Sequence, residues 1–204
     1  MLTKINRQNC LNSYPKFPLR KYDPIQDDET FFYPRVFASY ILTLESKSFK
    51  GHIKTLGLEL SRLAKEMKAD TLIFLGDTDT SWLYQENDFK PAKEAFQFLV
   101  DNKVGKKFNG ALQTDIATLP IFIKHLSWLT RCNAALPYIY FSDPGQNFIG
   151  NICKYGNLHF STLHAKSDNA LKDFILKSKF KFLHDPCYNQ FGKTSAISGR
   201  RSVV

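Results

Sequence analysis

The chain has 204 residues, 43% of them hydrophobic and 14% aromatic, so it can fill a hydrophobic core and is expected to form one domain or two small, closely packed ones. This composition excludes a chain that is disordered over most of its length. Lysine and arginine number 28 against 19 acidic residues, and the formal net charge of +9 favours an anionic partner, although such a charge also serves solubility alone.

The sequence carries no sign of a membrane or secretory segment. Its first ten residues contain no apolar run like that of a signal peptide, and its longest apolar stretches are too short to cross a bilayer. We therefore expect a cytoplasmic protein without a membrane partner. The absence of a glycine-rich phosphate loop excludes a dinucleotide cofactor. The cysteines form no Cys-x-x-Cys pair, which argues against a zinc ribbon and indicates reduced thiols; they are Cys10, Cys132, Cys153 and Cys187.

Residues 1–35 are polar, interrupted by prolines and rich in aromatic side chains, which predicts an N-terminal arm packed on the body of the protein or on a partner. Beyond this arm, apolar periodicity predicts strands and helices in turn. The predicted strands are Val36–Leu44, Thr71–Leu75, Ser81–Gln85, Phe108–Thr114, Pro137–Phe141, Phe148–Cys153, Leu158–Leu163 and Phe180–Leu183. The predicted helices begin at Phe49, near Asp88 and Pro91, near Thr118 and Pro120, and after Ser167.

The element order suggests an internal repeat. Shifting the sequence by 66 positions (143 minus 77) places Leu119 on Ile53 and Asp143 on Asp77. The expected fold class is therefore α+β, a mainly antiparallel sheet covered by helices, with a possible tandem duplication of a ferredoxin-like strand-helix-hairpin-helix unit. Shared helical periodicity alone is the alternative explanation. We expect a single domain over 36–184, with pseudo-repeats at about 36–105 and 106–184, followed by a basic tail at 185–204.

Basic side chains lie close to aromatic ones in several segments, a pattern that can follow a phosphate backbone and stack bases. For any one segment, a solvated helix face with core phenylalanines explains the pattern equally. The predicted nucleic-acid contacts are Lys106, Lys107, Lys179, Lys181, Arg200 and Arg201. The leading hypothesis is a non-catalytic binding protein for nucleic acid. The second candidate partner is an acidic protein, which this chain would bind as an inhibitor or an immunity protein does.

A third hypothesis is a metal-dependent nuclease or phosphoesterase. Asp77 and Asp79 follow a predicted strand, and with Asp143 they would suit a divalent cation such as magnesium if the two halves faced each other. Turn formation by these aspartates is the alternative explanation. If the protein is an enzyme, the other candidate catalytic residues are His159, Tyr188 and Lys193. In that mechanism the tyrosine attacks a phosphate beside a histidine that binds the metal.

Overall fold

Alternating apolar residues build an antiparallel sheet, and helices with one apolar side cover it, so the predicted α+β class is confirmed. A computed structural model describes residues 2–84, 87–134 and 136–191. The strands are β1 (Thr3–Ile5), β2 (Leu19–Asp23), β3 (Asp28–Phe32), β4 (Ala38–Thr43), β5 (Thr71–Gly76), β6 (Ala111–Asp115), β7 (Ile139–Ser142), β8 (Phe148–Ile152), β9 (Leu158–Thr162) and β10 (Lys181–Phe182). The helices are α1 (Arg7–Ser13), α2 (Phe49–Glu66), α3 (Lys90–Asp101), α4 (Leu119–Cys132) and α5 (Ala165–Leu176).

Eight of the strands form one sheet in the order β1-β6-β5-β7-β8-β9-β4-β10, and every pairing in it is antiparallel. Among the strands of the described residues, β2 and β3 pair only with each other, as a separate hairpin. None of the helices in the described part of the chain has the length and apolar character that a bilayer span requires.

The main core lies between one face of the sheet and the helices. Phe74, Phe141 and Phe160 point to that side from three strands, and α2 to α5 add their apolar residues. Helices α2 and α4 approach closely at Gly57, where a Cβ atom would lie 2.8 Å from the Cα of Pro120. This close contact sets the distance between α2 and α4 within the helical layer.

The N-terminal segment covers part of the opposite face. Successive strand residues point to opposite faces of the sheet, so Ile73 and Tyr140 point away from the main core. They pack with Cys10 of α1 and Phe17 of the following loop in a second, smaller core. Strand β1 forms one edge of the eight-stranded sheet, and β10 forms the other. The segment predicted as an irregular arm therefore contains regular elements, because its short strand and helix become stable only by pairing with β6 and packing on the sheet.

The strand expected over Ser81–Gln85 is not formed in its described part, Ser81–Tyr84, because Trp82 and Leu83 lie in a turn and Tyr84 in a bend. Trp82 is instead held by its side chain, which is buried and donates a hydrogen bond from Nε1 to the carbonyl oxygen of Gly110 at 2.8 Å.

The internal duplication is not confirmed. Strands β4 and β5, which belong to the first proposed repeat, are separated in the sheet by β7, β8 and β9. Strands β6 and β7 of the second are separated by β5 alone. The two segments therefore do not occupy equivalent places in the sheet.

Candidate functional site

The half of the sheet that α1 leaves uncovered carries polar side chains. Ser39 pairs across strands with Ser161, and Asn151 pairs with His159, so all four side chains point to one face. Ile149 also pairs with Ser161 and belongs to the second core, which identifies this face as the one opposite the helices. The four polar residues line a cleft of about 480 Å³, called the sheet cleft below.

Hydroxyl groups form a connected network at one side of the sheet cleft. The Oγ atom of Ser161 lies 2.9 Å from Ser39 Oγ and 3.1 Å from the hydroxyl of Tyr33, which follows β3. Tyr140 stands beside Tyr33, and burial raises the pKa of its phenol, so the hydroxyl remains neutral at physiological pH. The cleft therefore offers neutral donors and acceptors to a ligand.

A row of rings continues from the sheet cleft to the β2–β3 hairpin. The ring centroids of Tyr140 and Tyr33 are 6.0 Å apart, and those of Tyr33 and Phe31 are 5.8 Å apart. The guanidinium of Arg20 lies 5.9 Å from the Phe31 ring and 5.4 Å from the Tyr138 ring. Phe31 is 51% exposed and Tyr138 is 55% exposed. We call these four rings the aromatic rim.

Asp77 takes part in the framework behind this rim. Its carboxylate accepts a hydrogen bond from the N–H of Tyr138 at 3.1 Å and lies 3.3 Å from Arg20 Nε. Burial raises the pKa of Asp77, and the nearby charge of Arg20 opposes that effect. Asp77 therefore holds Arg20 in place, while Asp79, two residues later, is exposed to solvent.

The structure does not bring the three predicted metal-binding aspartates together. Strand β5 runs antiparallel to β7, with Gly76 opposite Ile139 and Ile73 opposite Ser142. Asp77 and Asp143 thus lie at opposite ends of the strand pair, about 16 Å apart at about 3.3 Å per residue. Asp143 uses its carboxylate within its own turn, where it accepts a hydrogen bond from the Asn147 N–H at 2.7 Å. Parallel repeats facing each other would have joined these carboxylates, and the antiparallel pairing separates them.

The predicted nucleic-acid contacts are also divided. Lys106 and Lys107 are exposed in the loop before β6, whereas Lys179 and Lys181 are exposed at β10. Six strand spacings separate β6 from β10, a distance of about 29 Å at about 4.8 Å per strand. The remaining predicted residues, Lys193, Arg200 and Arg201, lie outside the described residues.

Lys181 is the predicted contact that shares a face with the sheet cleft. It pairs across strands with Thr43, which alternates with Ser39 along β4. Its ammonium group forms an ion pair with Glu45, and both side chains are largely solvent-exposed. An ion pair so exposed to water is weak, and the ammonium group stays accessible to other anions.

A group of three ligand atoms stands beside the sheet cleft. Cys153 follows β8, His159 lies in β9, and Cys187 belongs to the segment after β10. The Cys187 Sγ atom lies 3.9 Å from Cys153 Sγ and 3.3 Å from His159 Nε2. All three ligand atoms lie within 4.8 Å of one another, and among the described residues this is the one group of at least three histidine, cysteine or acidic side chains placed this closely. We call it the thiol–imidazole cluster.

Burial shifts the pKa values of Cys153 and His159 in this cluster. It raises the pKa of the Cys153 thiol to about 11, although backbone N–H groups of Tyr155 and Asn157 oppose the shift. Burial also lowers the pKa of His159, so that its imidazole is neutral at physiological pH. Tyr188, the predicted nucleophile, follows Cys187 directly and is 59% exposed.

The sequence prediction identified His159 but missed its cysteine partners. Cys153 and His159 flank the hairpin turn, and Cys153 alternates with Asn151, the direct partner of His159. The shared face of Cys153 and His159 follows from this observed register, in which Ile152 is opposite Leu158. Nothing local indicates Cys187, which lies 28 residues beyond His159 and arrives through tertiary packing.

The geometry thus leaves two features that can carry a function: the sheet cleft with its aromatic rim, and the thiol–imidazole cluster. They share His159, which lines the cleft. Protein-family models, curated proteins and solved structures give no match to this chain.

Proposed function

We propose that this chain is a non-catalytic, cytoplasmic binding protein that holds a single strand of nucleic acid on the uncovered half of its sheet. The observation that carries the proposal is the polar sheet cleft continuing into the aromatic rim. Exposed rings stack bases of any sequence, because every base has a π-face. The hydroxyl and amide groups of the cleft offer hydrogen bonds to base edges and sugars, which are accessible only when the strand is unpaired.

Charge supports the same surface. Lys181 lies on the cleft face at β10, and Arg35 is exposed just beyond the aromatic rim. The net charge of +9 adds a long-range attraction for any polyanion. Lys106 and Lys107 lie near the opposite edge of the sheet, so we expect them to contribute only to this long-range attraction.

The test is fluorescence anisotropy with labelled single-stranded and double-stranded DNA and RNA over about 50 to 200 mM salt. We expect single strands to bind more tightly than duplexes, with a slope of log K against log salt of about −0.7 for each phosphate contact. The double variant Lys179→Gln/Lys181→Gln should make this slope less negative, and by more than the matched variant Lys106→Gln/Lys107→Gln does.

The rival partners produce different results in the same assay. No binding to any oligonucleotide at low salt would overturn the proposal and favour an acidic protein partner, to be sought by pull-down. Shortened oligonucleotides recovered after incubation with magnesium or zinc would overturn the non-catalytic assignment. Equal effects of the two lysine double variants would show that the strand does not lie at the β10 side of the sheet.

A further inference from the structure

The segment after β10 folds back onto the β8–β9 hairpin and onto the start of α2. Cys187 reaches the thiol–imidazole cluster, and Gln190 Nε2 lies 3.5 Å from His52 Nδ1. The Phe191 ring stands 5.2 Å from the His52 ring and 5.7 Å from the Phe49 ring. All of these contacts are made by side chains, which therefore hold the segment in place.

Two of the three distances within the cluster match those of a tetrahedral metal centre. Zinc binds sulfur at about 2.3 Å and nitrogen at about 2.0–2.1 Å, which places two sulfur ligands about 3.8 Å apart and a sulfur and a nitrogen about 3.5 Å apart. The corresponding distances here are 3.9 Å between Cys153 and Cys187 and 3.3 Å between Cys187 and His159. The third distance, from Cys153 to His159, is at most 4.8 Å, so a zinc ion would need to draw these two side chains together by no more than about 1.3 Å.

Asn157 supplies an independent observation. This side chain is 2% exposed, and its Nδ2 lies 3.5 Å from Cys187 Sγ, where it can donate a hydrogen bond to a thiolate. Its Oδ1 atom is buried without a hydrogen-bond partner among the described residues. Outer-shell donors of this kind orient metal ligands and tune the charge on sulfur.

We propose that Cys153, His159 and Cys187 bind one zinc ion, which fastens the segment containing Cys187 to the β8–β9 hairpin. Two thiolates and an imidazole favour zinc over magnesium, which prefers oxygen ligands. Three protein ligands leave a fourth position of the tetrahedron for water or another ligand. Binding releases the thiol protons, so it tightens as the pH rises. This inference goes beyond the proposed nucleic-acid binding and does not depend on it.

The experiment uses the full chain, purified with a reductant, stripped with a chelator and titrated with zinc and with cobalt. We expect one equivalent of either metal, and for cobalt the thiolate charge-transfer and tetrahedral ligand-field bands. Loss of an outer-shell partner alone costs about 10- to 100-fold in metal affinity. Cys153→Ser and Cys187→Ser should therefore each weaken binding by more than about 100-fold, while Cys132→Ser, a matched change outside the cluster, should leave it unchanged.

Two further measurements separate metal binding from folding. Circular dichroism in excess chelator tests whether each variant retains the fold of the metal-free protein. His159→Cys keeps three ligands and should still bind cobalt, with an added thiolate transition. Hydrogen exchange at residues 184–191 should slow on zinc addition in the wild type and not in Cys187→Ser.

Several results would overturn the proposal. They are failure of the reduced wild-type protein to bind a stoichiometric metal, unchanged affinity in both cysteine variants, and equal weakening by Cys132→Ser. A Cys153–Cys187 disulfide in air-oxidised protein, together with no zinc binding by the reduced form, would assign the two thiols to redox chemistry instead.

Discussion

Replacing Phe31 by alanine should weaken the binding of single-stranded nucleic acid. The Phe31 ring is 51% exposed and contacts Tyr33 and the guanidinium of Arg20, so its neighbours hold the ring while half of its surface remains open to a base. Stacking on an aromatic side chain contributes about 1–3 kcal/mol per base, which corresponds to an increase in Kd of about 5- to 150-fold.

The stability of the free protein should change little in this variant. Half of the ring is already in water, so truncation costs about 1 kcal/mol or less. The assay is fluorescence anisotropy at fixed salt, with a thermal melt of each variant. Phe89→Ala is the matched control, because Phe89 is 52% exposed but packs on Trp128 in the helical layer. A Kd for Phe31→Ala within about twofold of the wild type, or equal to that of Phe89→Ala, would refute the role of the aromatic rim.

Three further predictions concern stability, each measured by urea denaturation. Burial raises the pKa of Asp77, so ionisation of its carboxyl group destabilises the folded state. The free energy of unfolding should therefore fall as the pH rises from about 3.8 through the folded-state pKa of Asp77, and Asp77→Asn should remove that fall. At Asp168 the effect of burial is outweighed by hydrogen bonds from neighbouring side chains, which lower the pKa of its carboxyl group. The stabilisation that is present above the unfolded-state pKa should be lost as the pH falls through the folded-state pKa, and Asp168→Asn should abolish this loss of stability at low pH. A variant whose free energy of unfolding depends on pH as it does in the wild type would contradict the pKa shift assigned to that aspartate. Gly57→Ala should destabilise by about 1–3 kcal/mol because the new methyl group overlaps the Pro120 backbone, whereas Gly105→Ala, with no atom within 4 Å of the added Cβ, should not.

The zinc and nucleic-acid proposals meet at His159. This side chain belongs to the thiol–imidazole cluster and also lines the sheet cleft. A metal bound there would fix the ring that borders the cleft, and Cys187→Ser would remove the metal without altering a cleft residue. Comparing oligonucleotide affinity in Cys187→Ser and Cys132→Ser therefore measures any coupling between the two sites.

The helices and most of the sheet strands were predictable from local patterns. Apolar residues at steps of three and four predicted α2 from Phe49, and the helix runs over Phe49–Glu66. The Tyr155-Gly156-Asn157 turn predicted the β8–β9 hairpin, where Gly156 has a φ of 86°, which favours glycine. The start of α5 was less predictable, because His164 accepts a hydrogen bond from the Ser167 N–H and caps the helix three residues before the predicted Ser167 cap.

Local patterns could not determine how the strands are ordered. The sequence offered the same strand-helix spacing twice, and this periodicity suggested duplicated units with carboxylates facing each other. The actual order depends on which pairings bury the most apolar surface, and placing β7 antiparallel to β5 separates Asp77 from Asp143. Register and neighbour choice are long-range properties, so a pattern within one strand does not specify them.

The sequence by itself determined the α+β composition, the presence of the β8–β9 hairpin and the excess of positive charge. Only the tertiary structure decided which face of the sheet stays uncovered, which lysine lies beside it, and that Cys187 joins the hairpin. The physical reason is that secondary structure follows from side chains a few residues apart, whereas a site requires atoms from distant segments to meet, and that depends on the packing of the whole chain.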